Sequence, residues 1–394
     1  MRDLIEKYTG KLLRDRSAVP GRIGFAAQDD AMVEGGAPDL SRLAADVLSR
    51  LSCLGMLAAA PSLPFPGFLV RRAPAGASAL VPLDTETRTF LHDIPILRRE
   101  ELGTDPAGTI ALLLSKRKGV IAEGIGIVAS GPVTLEQAYI HYSSVFHAAY
   151  VKYLLDLLQE GFRLPGEAEA FRAFREEHLS SPSAEGLAFR PGPIGDPEEV
   201  LAEVRAVGRY TVERGLVDSF FGNISYRVGK TIYISQTAAS LDELAGCIDP
   251  VPTDNSSTTG ITASSELLAH RRVYEATGGR AILHGHPKFA VAMSMLCEEK
   301  ACPVKDCWRD CTRVRMLGDT PVVAGEIGAG GLAVRVPPVI GGPGKAIVYG
   351  HGVFTVGREG FEEAFRAMVA VEEFCRGDYF RRLDARRNGQ SKSE

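Results

Sequence analysis

The chain has no long apolar run, no excess of basic charge and no close cysteine pair, and each absence narrows what it can be. No uninterrupted apolar stretch reaches the roughly 20 residues that a membrane-spanning helix needs, so no membrane partner is expected. The opening residues, Met1-Arg2-Asp3-Leu4-Ile5-Glu6-Lys7, alternate acids and bases where a secretory signal would carry an apolar core. Lys and Arg number 45 against 49 Asp and Glu, a formal net charge of −4, which argues against a general nucleic-acid binder. The one basic run, through Arg381, Arg382, Arg386 and Arg387, lies in a polar tail and reads as a solvated end. The seven cysteines are odd in number and contain no C-x-x-C pair, so a disulfide framework is not expected and a reducing cytoplasm is. Four of them, Cys297, Cys302, Cys307 and Cys311, lie close together. An iron–sulfur or second metal site would need a ligand spacing that this run does not match, so free thiols in a loop and short helix are expected there.

What is present is ordinary for a soluble globular protein: 45% apolar and 24% charged residues over 394 positions. That length exceeds one typical core, and two domains are the starting expectation.

The most informative stretch is His284-Gly285-His286. It follows the apolar run Ala281-Ile282-Leu283, which reads as a buried strand. Strand side chains alternate faces, so two histidines two residues apart point the same way. A third, His351, sits in another strand-like run, Ile347-Val348-Tyr349-Gly350-His351-Gly352-Val353-Phe354. Three neutral imidazoles from two strands would make an open metal site with room for water or substrate. An isolated H-x-H would as readily be a hydrogen-bonded core pair; the third histidine and the motifs around it favour the metal.

Sliding the chain on itself by 226 residues aligns four separated segments in one register. Glu123-Gly124-Ile125-Gly126 meets Tyr349-Gly350-His351-Gly352, and Glu136-Gln137-Ala138-Tyr139 meets Glu362-Glu363-Ala364-Phe365. Leu91-His92-Asp93-Ile94-Pro95 meets Leu317-Gly318-Asp319-Thr320-Pro321, and Leu57-Ala58-Ala59-Ala60-Pro61 meets Leu283-His284-Gly285-His286-Pro287. This reads as a tandem duplication. The partners of His284, His286 and His351 are Ala58, Ala60 and Ile125, which bind no metal. The first copy would be a structural partner, and it looks shortened at its start. A Ser-, Pro- and Gly-rich linker is expected near 179–195. Asp196 then caps a helix opened by Pro197, with Val200, Val204, Val207 and Tyr210 on its buried face. Further expectations are a hairpin around Gly229-Lys230, a helix over 264–276 capped by Ser264 or Ser265, and a last helix burying Phe361, Ala364, Phe365, Met368, Val371 and Phe374.

Five motifs in order — Gly222-Asn223-Ile224-Ser225, Ile234-Ser235-Gln236-Thr237-Ala238, Ala263-Ser264-Ser265-Glu266, His284-Gly285-His286 and Gly350-His351-Gly352 — resemble the class II aldolase/adducin family. Its enzymes include fuculose- and rhamnulose-phosphate aldolases and ribulose-phosphate 4-epimerase. The resemblance covers roughly Glu198 to Phe380. It implies a three-layer α/β/α fold around a mixed, largely antiparallel sheet, duplicated in tandem here: 1–178 a degenerate domain without metal ligands, 179–195 the linker, 196–394 the catalytic domain. It implies that His284, His286 and His351 hold a divalent metal, zinc by default, with Mn, Fe, Co or Ni as alternatives. It makes Glu266 the acid/base beside the metal, and Gly222, Asn223, Thr237, Ala238, Ser264 and Ser265 a pocket for the phosphate of the substrate. Ala238 departs from the family's usual glycine. The family's second acid, on the far side of the substrate, has no clear match; Tyr379 and the segment 306–310 are the places to look.

The resemblance implies a metal-dependent lyase making a retro-aldol cut in a small phosphorylated ketose through a metal-stabilised enediolate. Epimerisation, decarboxylation or dehydration of a similar compound shares that chemistry. A non-enzymatic, adducin-like module would predict loss of the ligands, which the second copy keeps. Family members are commonly cyclic tetramers, so a homodimer of duplicated chains, arranged as a pseudo-tetramer, is the expected assembly.

Overall fold

The computed structural model describes residues 1–179, 181–218, 220–258, 261–299, 301–325 and 329–390. The chain divides into two units, Met1–Ser180 and Ser181–Glu394. The segment expected as a linker belongs with the second unit from residue 181 on. There Ala184 and Ile194 are buried, and the Ile194 N–H donates to the Tyr226 hydroxyl.

The first unit runs α1 (Arg2–Arg14), β1 (Ala18–Gln28), β2 (Met32–Gly36), α2 (Pro38–Leu48), β3 (Gly55–Pro61), α3 (Phe65–Arg72), β4 (Ala79–Leu80), α4 (Thr85–Leu91), β5 (Ile94–Leu97), α5 (Pro106–Leu114), β6 (Gly119–Ala122), β7 (Gly126–Gly131), α6 (Leu135–Glu160) and α7 (Glu167–Ala173). Its strands form one sheet in the order β2-β1-β3-β7-β6-β5-β4. All pairs are antiparallel except β5–β6, which the crossover helix α5 makes parallel. Small and β-branched residues from α2, α5 and the sheet, among them Ala44, Leu48, Ala58, Ile110 and Val128, close one core layer.

The second unit runs α8 (Pro197–Glu213), β8 (Asn223–Val228), β9 (Thr231–Ser235), β10 (Ile248–Pro252), α9 (Leu267–Thr277), β11 (Ala281–Gly285), α10 (Lys288–Ser294), α11 (Cys307–Asp310), β12 (Arg315–Leu317), β13 (Thr320–Val323), α12 (Ala329–Arg335), α13 (Pro337–Ile340), β14 (Lys345–Val348), β15 (Gly352–Gly357) and α14 (Phe361–Gln390). The sheet order is β10-β9-β8-β11-β15-β14-β13-β12. Remove β10 and it is the first sheet again, with the same single parallel pair, β13–β14. Helices α9, α12 and α13 cover the face lined by Ile282, Val348 and Phe354.

The two sheets agree to the residue over their shared core. Leu57 faces Ala129 across β3–β7, and Leu283 faces Thr355 across β11–β15, an offset of 226 on both strands. Before β3 the offset changes. Phe25 on β1 faces Leu57, and Ile224 on β8 faces Leu283, an offset of 199. The first unit is therefore not shortened at its start: α1, β1 and β2 stand where α8, β8 and β9 do. What it lacks is 27 residues between β2 and β3. Ala37 alone joins β2 to α2, whereas residues 236–266, including β10, join β9 to α9.

Local signals behave as their chemistry dictates. Asp196 accepts from the Glu198 and Glu199 N–H groups and caps α8, with Pro197 at the first helical position. Val228 faces Thr231 across the hairpin around Gly229-Lys230. Helix α9 starts at Leu267 rather than at 264, because Ser264 turns its hydroxyl to the Glu266 N–H before the helix begins. On α14, Phe374 is 44% exposed, and Cys375 and Tyr379 take the buried stripe after Val371. Glu372 on the same helix accepts from the Phe289 and Ala290 N–H groups and so anchors the start of α10, just beyond His286.

Candidate metal centre

Strand β11 carries His284; His286 follows one residue past its end, and His351 lies in the turn between β14 and β15. The register Gly285↔Val353 sets the end of β11 beside the start of β15, and the three rings meet there. His284 Nε2 lies 3.0 Å from His286 Nε2 and 3.2 Å from His351 Nε2. All three side chains are buried. Among the described residues, this is the one group of histidine, cysteine or carboxylate ligand atoms that converges, all within 4.8 Å.

Their surroundings orient the rings. His284 Nδ1–H donates to the Val353 carbonyl at 3.0 Å, which leaves the Nε2 lone pair facing the other two imidazoles. Its ring stacks on Phe354 with centroids 4.0 Å apart, and Phe221 stacks on His286 at 5.6 Å. Burial pushes His284 down to about 4 against the pull of Glu266, so the ring is neutral at neutral pH and able to ligate. Two glycines make the approach of the strands feasible. Gly222 has φ +87°, and a Cβ there would stand 2.5 Å from the His284 carbonyl oxygen. A Cβ at Gly352 would stand 2.6 Å from the His286 ring.

Glu266, just before α9, faces this centre. Its Oε1 is 3.2 Å from His351 Nε2 and its Oε2 is 3.5 Å from His284 Nε2. Burial opposes ionisation of Glu266, but the hydrogen bonds from His351 and the Asn223 amide outweigh it and hold the carboxyl below its usual range.

Behind Glu266 runs a buried polar chain absent from the sequence reading. Asn223 Nδ2 donates to Glu266 Oε2 at 2.9 Å, and Asn223 Oδ1 lies 2.5 Å from His270 Nε2. His270 Nδ1 is 2.7 Å from Ser225 Oγ, which is 2.7 Å from the Tyr274 hydroxyl. The amide oxygen can only accept, so His270 must carry its proton on Nε2. Its Nδ1 then accepts from Ser225, and Ser225 accepts from Tyr274. Burial lowers His270 to about 3, consistent with this neutral tautomer. The signal was in the sequence: Glu266, His270 and Tyr274 are spaced i, i+4, i+8 at the start and along one face of α9, and Asn223 and Ser225 share a face of β8. The first unit has Leu40, Ala44 and Leu48 at the helix positions and Gly24 and Ala26 at the strand positions. With Ala58, Ala60 and Ile125 in place of the histidines, every polar member is gone.

The residues expected to form a phosphate pocket fare differently. Asn223 spends both ends of its amide inside the protein. Thr237 is exposed, and its hydroxyl donates to the Ala263 carbonyl at 2.9 Å. Its loop is tied down by Asp249, which accepts from Gln236 at 2.8 Å and Thr262 at 2.6 Å. Ala238 has φ +62°, so a glycine is the unstrained residue there; alanine keeps the turn at a cost. Ser264 is committed to the Glu266 N–H, while Ser265 is exposed. Tyr379, one candidate for the second acid, is fully buried against Phe289 and Phe380 on α14.

Residues 202–379 match the family described as Class II Aldolase and Adducin N-terminal domain. The second unit is a class II aldolase/adducin domain. It is similar to l-fuculose-1-phosphate aldolase from Thermus thermophilus, at 27% identity over 47% of this chain and 95% of that one, TM-score 0.39. A sugar-phosphate aldolase from Thermotoga maritima is similar at 17% identity over 48% of this chain and 96% of that one, TM-score 0.37. A stretch of 98 residues is 31% identical to a probable bifunctional methylthioribose-1-phosphate isomerase/methylthioribulose-1-phosphate dehydratase of Nocardia farcinica, spanning 24% of this chain and 18% of that relative's length. Among the described residues of this chain, no helix is long and apolar enough to cross a membrane.

Proposed function

We propose that the aldolase/adducin domain is a metal-dependent lyase that cleaves a small phosphorylated ketose by retro-aldol chemistry. The observation that carries this reading is the convergence of three buried imidazole Nε2 atoms beside the Glu266 carboxylate. His284, His286 and His351 would hold a divalent ion, with zinc favoured by a nitrogen donor set of this size. The bound ion would supply positive charge against the oxyanion that bond cleavage leaves. The protein's own part follows from its geometry. Glu266 is aimed at the centre and held ionised, so it is placed to take a proton from the substrate and return it to carbon. Asn223, locked by His270, fixes which way that carboxylate points. The stacked rings of Phe221 and Phe354 keep water from the back of the imidazoles. Gly222, Thr237, Ala238, Ser264 and Ser265 would border the substrate's anionic group, Asn223 acting there through Glu266 rather than by direct contact.

Dehydration is the second reading, favoured by the resemblance to the methylthioribulose-1-phosphate dehydratase-containing relative. It uses the same proton transfer at carbon but expels a hydroxyl group instead of breaking a carbon–carbon bond. The first unit is proposed to be a ligand-free copy of the same fold, and two such chains the working oligomer. Assays of a panel of ketose phosphates, with aldehyde and water-loss products both measured and metal counted on the same sample, separate the readings. Turnover of none of them by metal-loaded protein would overturn both. Ser265→Asp puts negative charge at the anion pocket and should depress turnover of a phosphorylated substrate; unchanged turnover would remove Ser265 from it. Light scattering gives the oligomer, and an active monomer would end that proposal.

A further inference from the structure

The geometry points to a second metal site in the aldolase/adducin domain: a thiophilic centre held by Cys297, Cys302, Cys307 and Cys311. The four thiols, scattered over 15 positions of sequence, line one cavity of about 500 Å³. All four are free thiols. Burial first, and then the nearby Cys311, Cys297 and Cys302, push the Cys307 thiol up. Sulfurs so placed ionise most readily when a cation shares their charge.

Three further observations fit this reading. The segment between α10 and β12 spans residues 295–314, yet no described residue in it is buried and its only helix is the single turn Cys307–Asp310. A stretch of that length without a core is uncommon in a compact domain and is usually functional or a linker, and a cross-linking metal would be one function that orders it. Four thiolates around a divalent ion carry two net negative charges; of the cavity's charged lining, Glu298 pairs with Arg382 and Glu299 with Arg313, which leaves Arg315 as the cation available to them. Arg315 donates to the Leu296 and Ser294 carbonyls at 2.5 Å each, and no carboxylate among the described residues pairs with it. Finally, Cys53 is the one cysteine in the sequence of the first unit, so the cluster occurs only in the unit that has the histidines. The sulfurs surround the cavity without converging as the imidazoles do, and binding would draw them inward. Four thiolates suit either Zn(II) or an iron–sulfur cluster, and the cavity has volume for both. The site does not depend on the activity proposed above.

The test is a metal count on the full chain, purified without oxygen. Wild type should carry two centres. The His284→Ala/His286→Ala/His351→Ala variant should keep one, and Cys307→Ser/Cys311→Ser should keep the other. Equal amounts of iron and acid-labile sulfide, with broad visible absorption, identify a cluster; colourless protein with one zinc per chain in the histidine variant identifies Zn(II). Because the serine variant could fold poorly, a mercurial titration of wild type supplies an independent reading: one metal should be released as four of the seven thiols react. Retention of full metal by the cysteine variant would overturn the proposal. So would a metal-free histidine variant, or disulfides among the four cysteines in protein kept under argon. A cysteine-dependent metal without a histidine-dependent one would instead leave this site standing and remove the histidine centre.

Discussion

Asn223→Ala cuts the buried polar chain at its centre, and the cost follows from what each neighbour loses. The amide bond to the ionised Glu266 is of a kind worth about 1.5–3 kcal/mol. The His270 Nε2–H is left buried without its acceptor, which costs roughly 1–3 kcal/mol more. The two terms overlap, so a loss of about 3–5 kcal/mol is expected. His270→Ala removes the same Asn223–His270 bond from the other side and strands the Ser225 hydroxyl, at a similar cost plus that of a small cavity. Because the two substitutions share one bond, the double variant should fall short of the sum by at least about 1 kcal/mol. Trp308, the chain's single tryptophan, lies in the second unit, so its fluorescence follows that unit during denaturant unfolding. A probe of total helix content would mix two transitions and is unsuitable. Shifts in midpoint at constant slope give the free energies. Additivity within about 0.5 kcal/mol would refute the coupling, as would a loss under about 1 kcal/mol for either single variant.

Other outcomes follow from the same geometry. His286→Ala should lower metal content by about one equivalent in elemental analysis, whereas Glu266→Gln should retain the metal and lose about 100-fold or more in turnover. Glu372 is pushed up to about 7, chiefly by burial and against the pull of two backbone N–H groups, from an ordinary value of 4.5. Its contribution to stability is therefore complete below pH 4.5 and is lost as pH rises through about 7. Glu372→Gln should remove roughly 3 kcal/mol of that dependence, read as a flatter plot of unfolding free energy against pH. Gly222→Ala should cost about 2 kcal/mol or more, from the positive φ and the contact with the His284 carbonyl; a melting temperature equal to wild type would contradict it.

The histidines were legible because strand alternation is a rigid rule: His284 and His286 had to share a face, and His351 stood in a second strand-like run in motif order with them. The polar chain behind Glu266 was not read, although its spacing was on view. Motif order groups Asn223 and Ser265 in one ligand pocket, and it does not say whether an amide faces outward or into a helix. Only the distances show that Asn223 faces Glu266 and His270. The start of the first unit was misjudged for a different reason. A single offset of 226 cannot follow a 27-residue difference, so β1 and β2 went unmatched although their pairing is the same. Phe374 was assigned to the buried stripe by its hydrophobicity; α14 turns its next stripe through Glu372, Cys375 and Tyr379 instead. The spacing of the cysteines matches no ligand pattern, and spacing alone cannot show that a long coreless segment folds them around one cavity.

The joint between β9 and α9 has a practical use. In one unit it is crossed by Ala37 alone, in the other by residues 236–266, and the flanking strands keep the same pairing in both. The sheet does not register how much chain leaves and re-enters there. It is a socket: loops of different length and chemistry could be exchanged at that point to change which molecule is admitted, without rebuilding the scaffold that holds the imidazoles.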